Sequence, residues 1–367
     1  MKKNLVSLVA SLTLLAVLLS FTAGCSSSGG LAGCFDDREV LNVYNWGEYI
    51  SDGEDDSLDV IEAFEEKYDI RVNYTTFASN EEMYQKIKSG AGNYDVIIPS
   101  DYMIEKMIKE DMLEKLDFDN IPNYKYIGKD YKDLDYDPDN EYSVPYLWGT
   151  VGVFYNTKLV DEEDVADKSW DILWNKKYSG QILMFDNPRD AFGIALKKLG
   201  YSQNTTDKDE WQEAYDELLK QKPLVQAYVM DQIFDKMSNE EAAVAPYYAG
   251  DARIMVTENP DIAFYTPDEG TNKFFDAMCI VKGSEHKEAA EKFIDFMCDT
   301  DVALANCEYV CYSTPQTEAY KLLDKDIRNK KNYYPDSDVL SNCDVFCNLP
   351  TDINELENDL WIKLKTK

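Results

Sequence analysis

The sequence predicts an α/β fold with a mostly parallel sheet, helices on the faces of the sheet, and two domains. Short apolar strand patterns alternate with amphipathic helix patterns in the first third of the chain, which is typical of a sheet covered by helices. The chain has 367 residues, a length that allows two domains. The segment Ser143–Asn156 is extended and apolar, and we expect it to carry the chain from the first domain into the second.

The first domain is predicted from strand patterns that are each followed by a helix pattern. The first strand contains Leu41, Val43 and Tyr44, and Asn45 and Gly47 then break the run. The next segments alternate between helical spacing and period-two spacing of apolar residues. They predict a helix at 57–69, a strand at Ile70–Phe77, a helix at 80–90 with Asn80 as N-cap, a buried strand at 94–98 and a helix at 103–113.

The second domain is predicted to begin after the acidic, turn-rich segment 133–142. Its strands are expected at 181–185, 242–248 and Ile262–Tyr265, and its helices at 191–199 and after Thr206, which can serve as an N-cap. The strand predicted at 274–281 would return the chain to the first domain. Further helices are predicted at 286–298, 302–307 and 352–365.

The N-terminus has the pattern of a bacterial lipoprotein signal. Two lysines precede the apolar run 5–21, and residues 22–25 resemble a lipobox, the signal at which the final Cys is acylated. We therefore predict a signal peptide at 1–24, lipidation of Cys25, a flexible tether at 25–39, and a location on the extracytoplasmic face of the cell membrane, periplasmic or cell-surface. Two alternatives stay open: Cys34 follows a closer lipobox match, and the apolar run could be a plain membrane anchor, although a short one.

Composition excludes one class of partner and leaves the cysteines undecided. The chain has 37 Lys and Arg and 70 Asp and Glu, a net charge of −33, which argues against nucleic acid and is compatible with a cationic ligand. Cys307 and Cys311 are spaced C-x3-C, as are Cys343 and Cys347. Disulfides are permitted outside the cell, and a cluster of four thiols around a metal is the alternative, although zinc sites usually use C-x2-C. We predict no metal and no cofactor.

The loop after the first strand has the chemistry of a cation site. Trp46 and Tyr49 offer two aromatic faces, and Glu48 lies between them in sequence. An aromatic face and a carboxylate suit an organic ammonium ion, and ligands bind at the carboxyl ends of strands in open α/β sheets. The alternative is a core Trp and Tyr beside a solvated Glu. Other loops and strand ends supply similar residue types: Ser100, Tyr102, Asp186, Asp190, Tyr248, Phe274, Asp276 and Tyr312.

Enzyme classes find little support in the sequence. The only histidine, His286, stands at an expected exposed helix start, so Ser-His-Asp and Cys-His arrangements lack a base. Nucleotide-binding and HExxH motifs are absent, and Arg189 is the one basic residue near the positions above, whereas a phosphate site favours arginines. A pair of carboxylates can run glycoside hydrolysis, which remains the enzymatic alternative although no acid and nucleophile stand out.

Six separated motifs, in collinear order from about Leu41 to the C-terminus, resemble the spermidine/putrescine-binding proteins of polyamine ABC transporters. They are YNWGEY at 44–49, SNEEMY at 79–84, YDVIIPS at 94–100, VPYLWG at 144–149, ALKKLGYS at 195–202 followed by NTTD at 204–207, and STP at 313–315. The resemblance implies a type II periplasmic-binding-protein fold, in which two α/β lobes close on the ligand around a hinge. We expect the first lobe at 40–148 plus 274–312 and the second at 149–273 plus 313–367.

The resemblance also implies roles for the residues at the site. Aromatic side chains would enclose the methylene groups of the polyamine: Trp46, Tyr49, Tyr248 and Phe274. Carboxylates would pair with its ammonium groups: Glu48, Asp190 and Asp276. Neutral side chains would add hydrogen bonds or packing: Ser100, Tyr102 and Tyr312.

Some positions depart from the family pattern. Asn187 stands where a carboxylate is usual, although Asp186 beside it can substitute, and Gly47 stands where a Thr hydroxyl can contribute. Tyr248 and Phe274 stand where Trp is frequent, and a C-terminal contact is expected near Phe346 or Cys347. One carboxylate fewer would favour a diamine over a triamine. The implied protein is a monomeric, non-enzymatic receptor that delivers putrescine or spermidine to a permease; the alternative is a receptor for another cationic or small solute.

Overall fold

The computed structural model describes residues 38–331 and 333–367, and nine strands within them form one continuous sheet. In chain order the strands are β1 Glu39–Trp46, β2 Ile70–Phe77, β3 Val96–Ile97, β4 Ser143–Asn156, β5 Ile182–Phe185, β6 Val225–Val229, β7 Val244–Tyr248, β8 Ile262–Tyr265 and β9 Lys273–Ile280. The order across the sheet is β2-β1-β3-β9-β4-β7-β5-β6, with β8 also paired to β4.

The described helices cover the faces of this sheet. The α-helices are α1 Val60–Tyr68, α2 Asn80–Lys88, α3 Asp101–Lys109, α4 Pro188–Lys198, α5 Lys208–Gln221, α6 Gln232–Ser238, α7 Ala249–Glu258, α8 Lys287–Met297, α9 Thr300–Val310, α10 Thr317–Leu322, α11 Lys325–Arg328, α12 Ser337–Leu340 and α13 Thr351–Thr366. Short 3-10 turns, such as Trp170–Trp174, occupy parts of the connections. No helix in these residues is long and apolar enough to cross a membrane. The predicted signal peptide, Cys25 and Cys34 lie outside the described residues.

The sheet is mixed: the parallel arrangement predicted from the first three strands is confirmed for them, and β4 and β9 add antiparallel pairs. β1 pairs in parallel with β2 and β3, and β5 pairs in parallel with β6 and β7, as βαβ units require. In contrast, β9 runs antiparallel to both β3 and β4, and β4 runs antiparallel to β7 and β8. The reason is that β4 leaves the first half of the sheet and β9 returns to it in the opposite direction.

Separate sets of buried side chains define two lobes. One part surrounds β2, β1, β3 and β9, with apolar clusters on both faces of the sheet, and we call it the first lobe; Val43 and Tyr44 lie in opposite clusters. The other part surrounds β7, β5 and β6, includes the fully buried Trp170 and Trp211, and is the second lobe. β4 belongs to both, because residues 143–150 pair with β9 and residues 151–156 pair with β7 and β8.

The C-terminal part of the chain contacts both lobes. Ser313 exchanges backbone hydrogen bonds with Trp148, and the side chain of Gln316 donates to the carbonyl of Cys298, so this segment packs on the first lobe. Helix α13 instead buries Ile353 and Leu360 in the core of the second lobe. The predicted division of the chain at residues 312 and 313 therefore stays a prediction.

Several predicted elements are confirmed and others are corrected. The strands Ile70–Phe77, Ser143–Asn156 and Ile262–Tyr265 have the predicted bounds. The predicted caps are wrong by one residue. Ser79, not Asn80, accepts the N–H of Glu82 at the start of α2, and Asp207, not Thr206, caps α5. Helix α7 is additional, since the glycine in its first turn reads as a loop in the sequence.

Candidate functional site

The carboxyl end of β1 turns sharply into the predicted cation-binding loop. Glu48 has a left-handed backbone conformation (φ 50°) and an exposed side chain, whereas Tyr49 is buried, with 7% of its surface exposed. The turn therefore sends Glu48 outward and Tyr49 inward. The ring of Trp46 packs on Phe77 at 4.6 Å between centroids, and its indole N–H has no hydrogen-bond partner among the described residues.

The first carboxylate of the site is Asp276, on β9. Its Oδ2 accepts the hydroxyl of Tyr49 and its Oδ1 accepts the hydroxyl of Ser100, each at 2.7 Å. Ser100 is held in turn by Asn80, whose Oδ1 accepts the Ser100 N–H and whose Nδ2 donates to the Ser100 hydroxyl. Burial raises the pKa of Asp276 to about 6, while the two hydroxyl donors act in the opposite direction.

The second carboxylate is Asp190, in the first turn of α4. Asn187 caps this helix, because its Oδ1 accepts the N–H groups of Arg189 and Asp190. The hydroxyl of Tyr248 donates to Asp190 Oδ2 at 2.9 Å. Asp190 is 4% exposed, and burial raises its pKa to about 6. Asn187, predicted as a ligand contact, therefore orients the helix that carries Asp190.

A third carboxylate, Asp251, was not predicted. It lies in the first turn of α7, three residues after Tyr248, and its Oδ2 accepts the hydroxyl of Tyr312 at 2.8 Å. Burial raises its pKa to about 7, and the nearby charges of Asp231 and Glu48 raise it further, against the hydrogen bond from Tyr312. The available sequence signal was the position of Asp251 just past the end of a buried strand, three residues after the predicted contact Tyr248.

The three tyrosines that donate to these carboxylates and Phe274 form a continuous group of rings, which we call the aromatic belt: Tyr49, Tyr312, Phe274 and Tyr248. Neighbouring rings meet edge-to-face, with centroid distances of 5.4, 5.9 and 5.6 Å in that order. Two glycines make room for it. A Cβ on Gly250 would lie 2.1 Å from the ring of Tyr312, and one on Gly149 would lie 2.7 Å from the ring of Phe274.

The structure does not bring every predicted residue to this group. Asp186 is exposed and forms an ion pair with Lys365 at 2.7 Å. Tyr102, in contrast, lies beside Ser100 at the site: Asn80 donates to the hydroxyls of both, and the Tyr102 hydroxyl donates to Glu81. Toward the C-terminus, the aromatic ring of the predicted contact Phe346 packs against the Arg189 guanidinium at 4.4 Å.

The arrangement suits an organic cation with spaced positive charges. No Lys or Arg of the described residues forms an ion pair with Asp276, Asp190 or Asp251, so their partners are neutral hydroxyls. A buried carboxylate without a cation is costly, and an ammonium group would relieve that cost. Within the described ranges, no group of three or more His, Cys, Asp and Glu side chains is placed to hold a metal, and Cys279, Cys298, Cys307, Cys311, Cys343 and Cys347 are free thiols.

Sequence comparison identifies the class. The profile of the family described as "Bacterial extracellular solute-binding protein" matches residues 91–342. Together with the two-lobed fold, this match defines a solute-binding protein. The chain belongs to the bacterial extracellular solute-binding proteins, a family of transport receptors and not of enzymes.

Individual relatives show which solute-binding proteins the chain is similar to. The chain is 36% identical over 321 residues to the "Spermidine/putrescine-binding periplasmic protein" of Escherichia coli K12, covering 87% of this chain and 90% of that one. It is 30% identical over 370 residues to the "Putrescine-binding periplasmic protein SpuD" of Pseudomonas aeruginosa, covering 96% and 98%. The resemblance stated from the six motifs is confirmed.

Solved structures agree with the fold. The spermidine/putrescine ABC transporter substrate-binding protein PotD of Streptococcus pneumoniae matches with a TM-score of 0.80 and 37% identity, covering 89% of this chain and 99% of that one. The Treponema pallidum lipoprotein Tp0655 (TpPotD) matches with a TM-score of 0.78 and 26% identity, covering 90% and 100%. The predicted two-lobed type II periplasmic-binding-protein fold is thereby confirmed.

Proposed function

We propose that this protein is the receptor of an ABC importer and captures a polyamine, putrescine or spermidine. The observation that carries the proposal is the set of three carboxylates, each hydrogen-bonded to a ring of the aromatic belt. Asp276 belongs to the first lobe, and Asp190 and Asp251 belong to the second. A ligand with two or more ammonium groups can therefore pair with both lobes at once.

The aromatic belt supports a chain of methylene groups between the charges. Aromatic faces attract ammonium groups by cation–π interaction and bury apolar CH₂ groups, each worth about 0.8 kcal/mol. An ammonium group offers three hydrogen-bond donors, while the hydrogen bonds that the carboxylates at the site accept come from neutral groups, which the ligand can supplement. Because the groups lie on two lobes, ligand binding would favour closure around the hinge.

The remaining features of the proposal follow from the relatives and the sequence. The chain would act on the extracytoplasmic face of the cell membrane, anchored through lipidated Cys25, and would deliver its ligand as a monomer to the permease subunits. Binding would not be followed by catalysis. The first lobe would comprise 40–148 and 274–312, and the second 149–273 and 313–367. Of the predicted site residues, we also keep Trp46, Glu48, Tyr102 and Asp186 as proposed ligand contacts.

Isothermal titration of the part of the chain from about residue 36 onward tests the proposal. Putrescine, cadaverine, spermidine and spermine are the ligands, and lysine and a neutral sugar are the controls. We expect one-to-one binding of at least one polyamine and no heat from the sugar. If lysine alone binds, the ligand is another cationic solute and not a polyamine. If the sugar binds and a reducing end is released, the two-carboxylate hydrolase is favoured.

A further inference from the structure

Two three-residue segments of the first lobe supply a large part of the site. Residues 100–102 contribute Ser100 and Tyr102, and residues 274–276 contribute Phe274 and Asp276. The middle residues of the two segments are joined by a hydrogen bond from the backbone N–H of Phe275 to Asp101 Oδ2, at 3.0 Å. The other carboxylate oxygen, Oδ1, accepts the N–H of Tyr102 at 2.7 Å.

The hydrogen bond from the Phe275 N–H to Asp101 takes the place of a strand-to-strand bond, because β3 is too short to reach Phe275 on β9. Strand β3 has only two residues, which pair with Ile280 and Cys279 of β9. Past the end of β3, the N–H of Ala277 still donates to the carbonyl of Pro99. The next N–H of β9 on the same side is that of Phe275, and it donates to the Asp101 carboxylate. Asp101 thus continues the hydrogen-bond ladder of β9 as far as the site.

The cost of this arrangement indicates that it is specific. Asp101 has no exposed surface, and no Lys or Arg of the described residues forms an ion pair with it. A buried carboxylate is expensive unless its oxygens accept hydrogen bonds, and here they accept two from the backbone. Since side chains alternate along a strand, fixing the backbone at Phe275 fixes the direction of both neighbours, Phe274 and Asp276. The ring of Phe275 packs in the core on the other face.

We propose that Asp101 is a positioning residue of the ligand site: its bond to the backbone of Phe275 holds Asp276 against Tyr49 and Ser100, and Phe274 against Tyr248 and Tyr312. This inference rests on the proposed polyamine function, because the affinity for a polyamine is one of the quantities that test it. Asp101 itself does not touch the ligand. Its removal should therefore weaken binding through the placement of Asp276.

The test compares Asp101→Asn with Asp137→Asn. Asp137 is a matched control, because it is 4% exposed in the same lobe and accepts the N–H groups of Glu141 and Tyr142 and the hydroxyl of Ser143. Both variants should lower the melting temperature, but only Asp101→Asn should weaken polyamine binding, by roughly tenfold or more. Asp101→Ser replaces the carboxylate by a small hydroxyl and serves if the Asn variant does not fold. Equal affinity losses in Asp101→Asn and Asp137→Asn would overturn the proposal.

A double-mutant cycle separates positioning from general destabilisation. If Asp101 acts through Asp276, the affinity loss caused by Asp101→Asn should shrink in an Asp276→Asn background. A loss of unchanged size in that background would refute the inference. Hydrogen exchange of residues 273–280 without ligand gives an answer even if the parent binds no polyamine: faster exchange in Asp101→Asn, and not in Asp137→Asn, is expected. Unchanged exchange would overturn the positioning role.

Discussion

Replacing Asp276 by Asn removes one negative charge from the site and changes its shape very little. The side chain is 5% exposed and accepts the hydroxyls of Tyr49 and Ser100. Hydroxyl groups can donate or accept, so they can reorient to bond the amide, and we expect the variant to fold. The ligand ammonium, however, would be left buried and unpaired, which costs about 2–5 kcal/mol. At about 1.4 kcal/mol per tenfold change, Kd should rise between roughly thirtyfold and several thousandfold.

Isothermal titration with the preferred polyamine measures this change, with Asp95→Asn as the matched control. Asp95 is 4% exposed and lies just before β3, at the opposite end of that strand from the site; its carboxylate accepts the Asn42 N–H and the Ser284 hydroxyl. The control should lose stability but bind within about threefold of the parent. An affinity of Asp276→Asn within about threefold of the parent would remove Asp276 from the site and refute the reasoning.

Three further changes probe the rest of the site. Gly250→Ala should destabilise the protein by about 1–3 kcal/mol and weaken binding, because the new Cβ displaces the ring of Tyr312; an unchanged melting temperature would contradict this. Tyr248→Phe keeps the ring but removes the donor to Asp190, a charge-assisted bond worth about 1.5–3 kcal/mol, so the free energy of unfolding without ligand should fall by about that amount; an unchanged value in denaturant titration would contradict this. Affinity should also rise from about pH 5 to about pH 8, as Asp190 and Asp251 lose their protons, and titration at both values would show it; equal affinities would argue against these carboxylates.

The sequence was informative where burial follows from a local pattern. Strand β4 is apolar along most of its length because neighbours cover it in both lobes, and its bounds were predicted correctly. Asp276 could be placed at the site from its residue type, as a carboxylate that interrupts a buried strand pattern, although β9 runs antiparallel to β3. Ser100 could be placed there because it follows β3, and the carboxyl ends of the parallel strands β1 and β3 lie at one edge of the sheet. The direct hydrogen bond between Ser100 and Asp276 at 2.7 Å is consistent with that inference.

The sequence was uninformative where a side chain's direction depends on a distant partner. Asp186 and Asp190 are equally plausible from composition, but Asp186 pairs with Lys365, which is 179 positions away in the chain. Asp251 was missed because Gly250 hid the start of α7, although that glycine is needed to admit Tyr312. Asp101 gave no signal at all, since a carboxylate at the first position of a helix is usually a solvated partner of the helix dipole.

The raised pKa values connect ligand binding to folding stability. The pKa of Asp276 is about 6 in the folded protein and near 3.9 when unfolded, so the folded state holds a proton that the unfolded state releases. This carboxylate therefore lowers folding stability progressively as pH rises from about 4 to 6, by on the order of 3 kcal/mol once it is ionised. Asp190 and Asp251 act in the same direction.

An ammonium ligand stabilises the ionised forms, so the ligand-induced rise in melting temperature should be larger at about pH 8 than at about pH 5. Without a cation, the buried carboxylates lower the stability of the folded protein, and a bound ammonium group removes that cost. A neutral sugar would leave these charges uncompensated, so the site selects against neutral solutes.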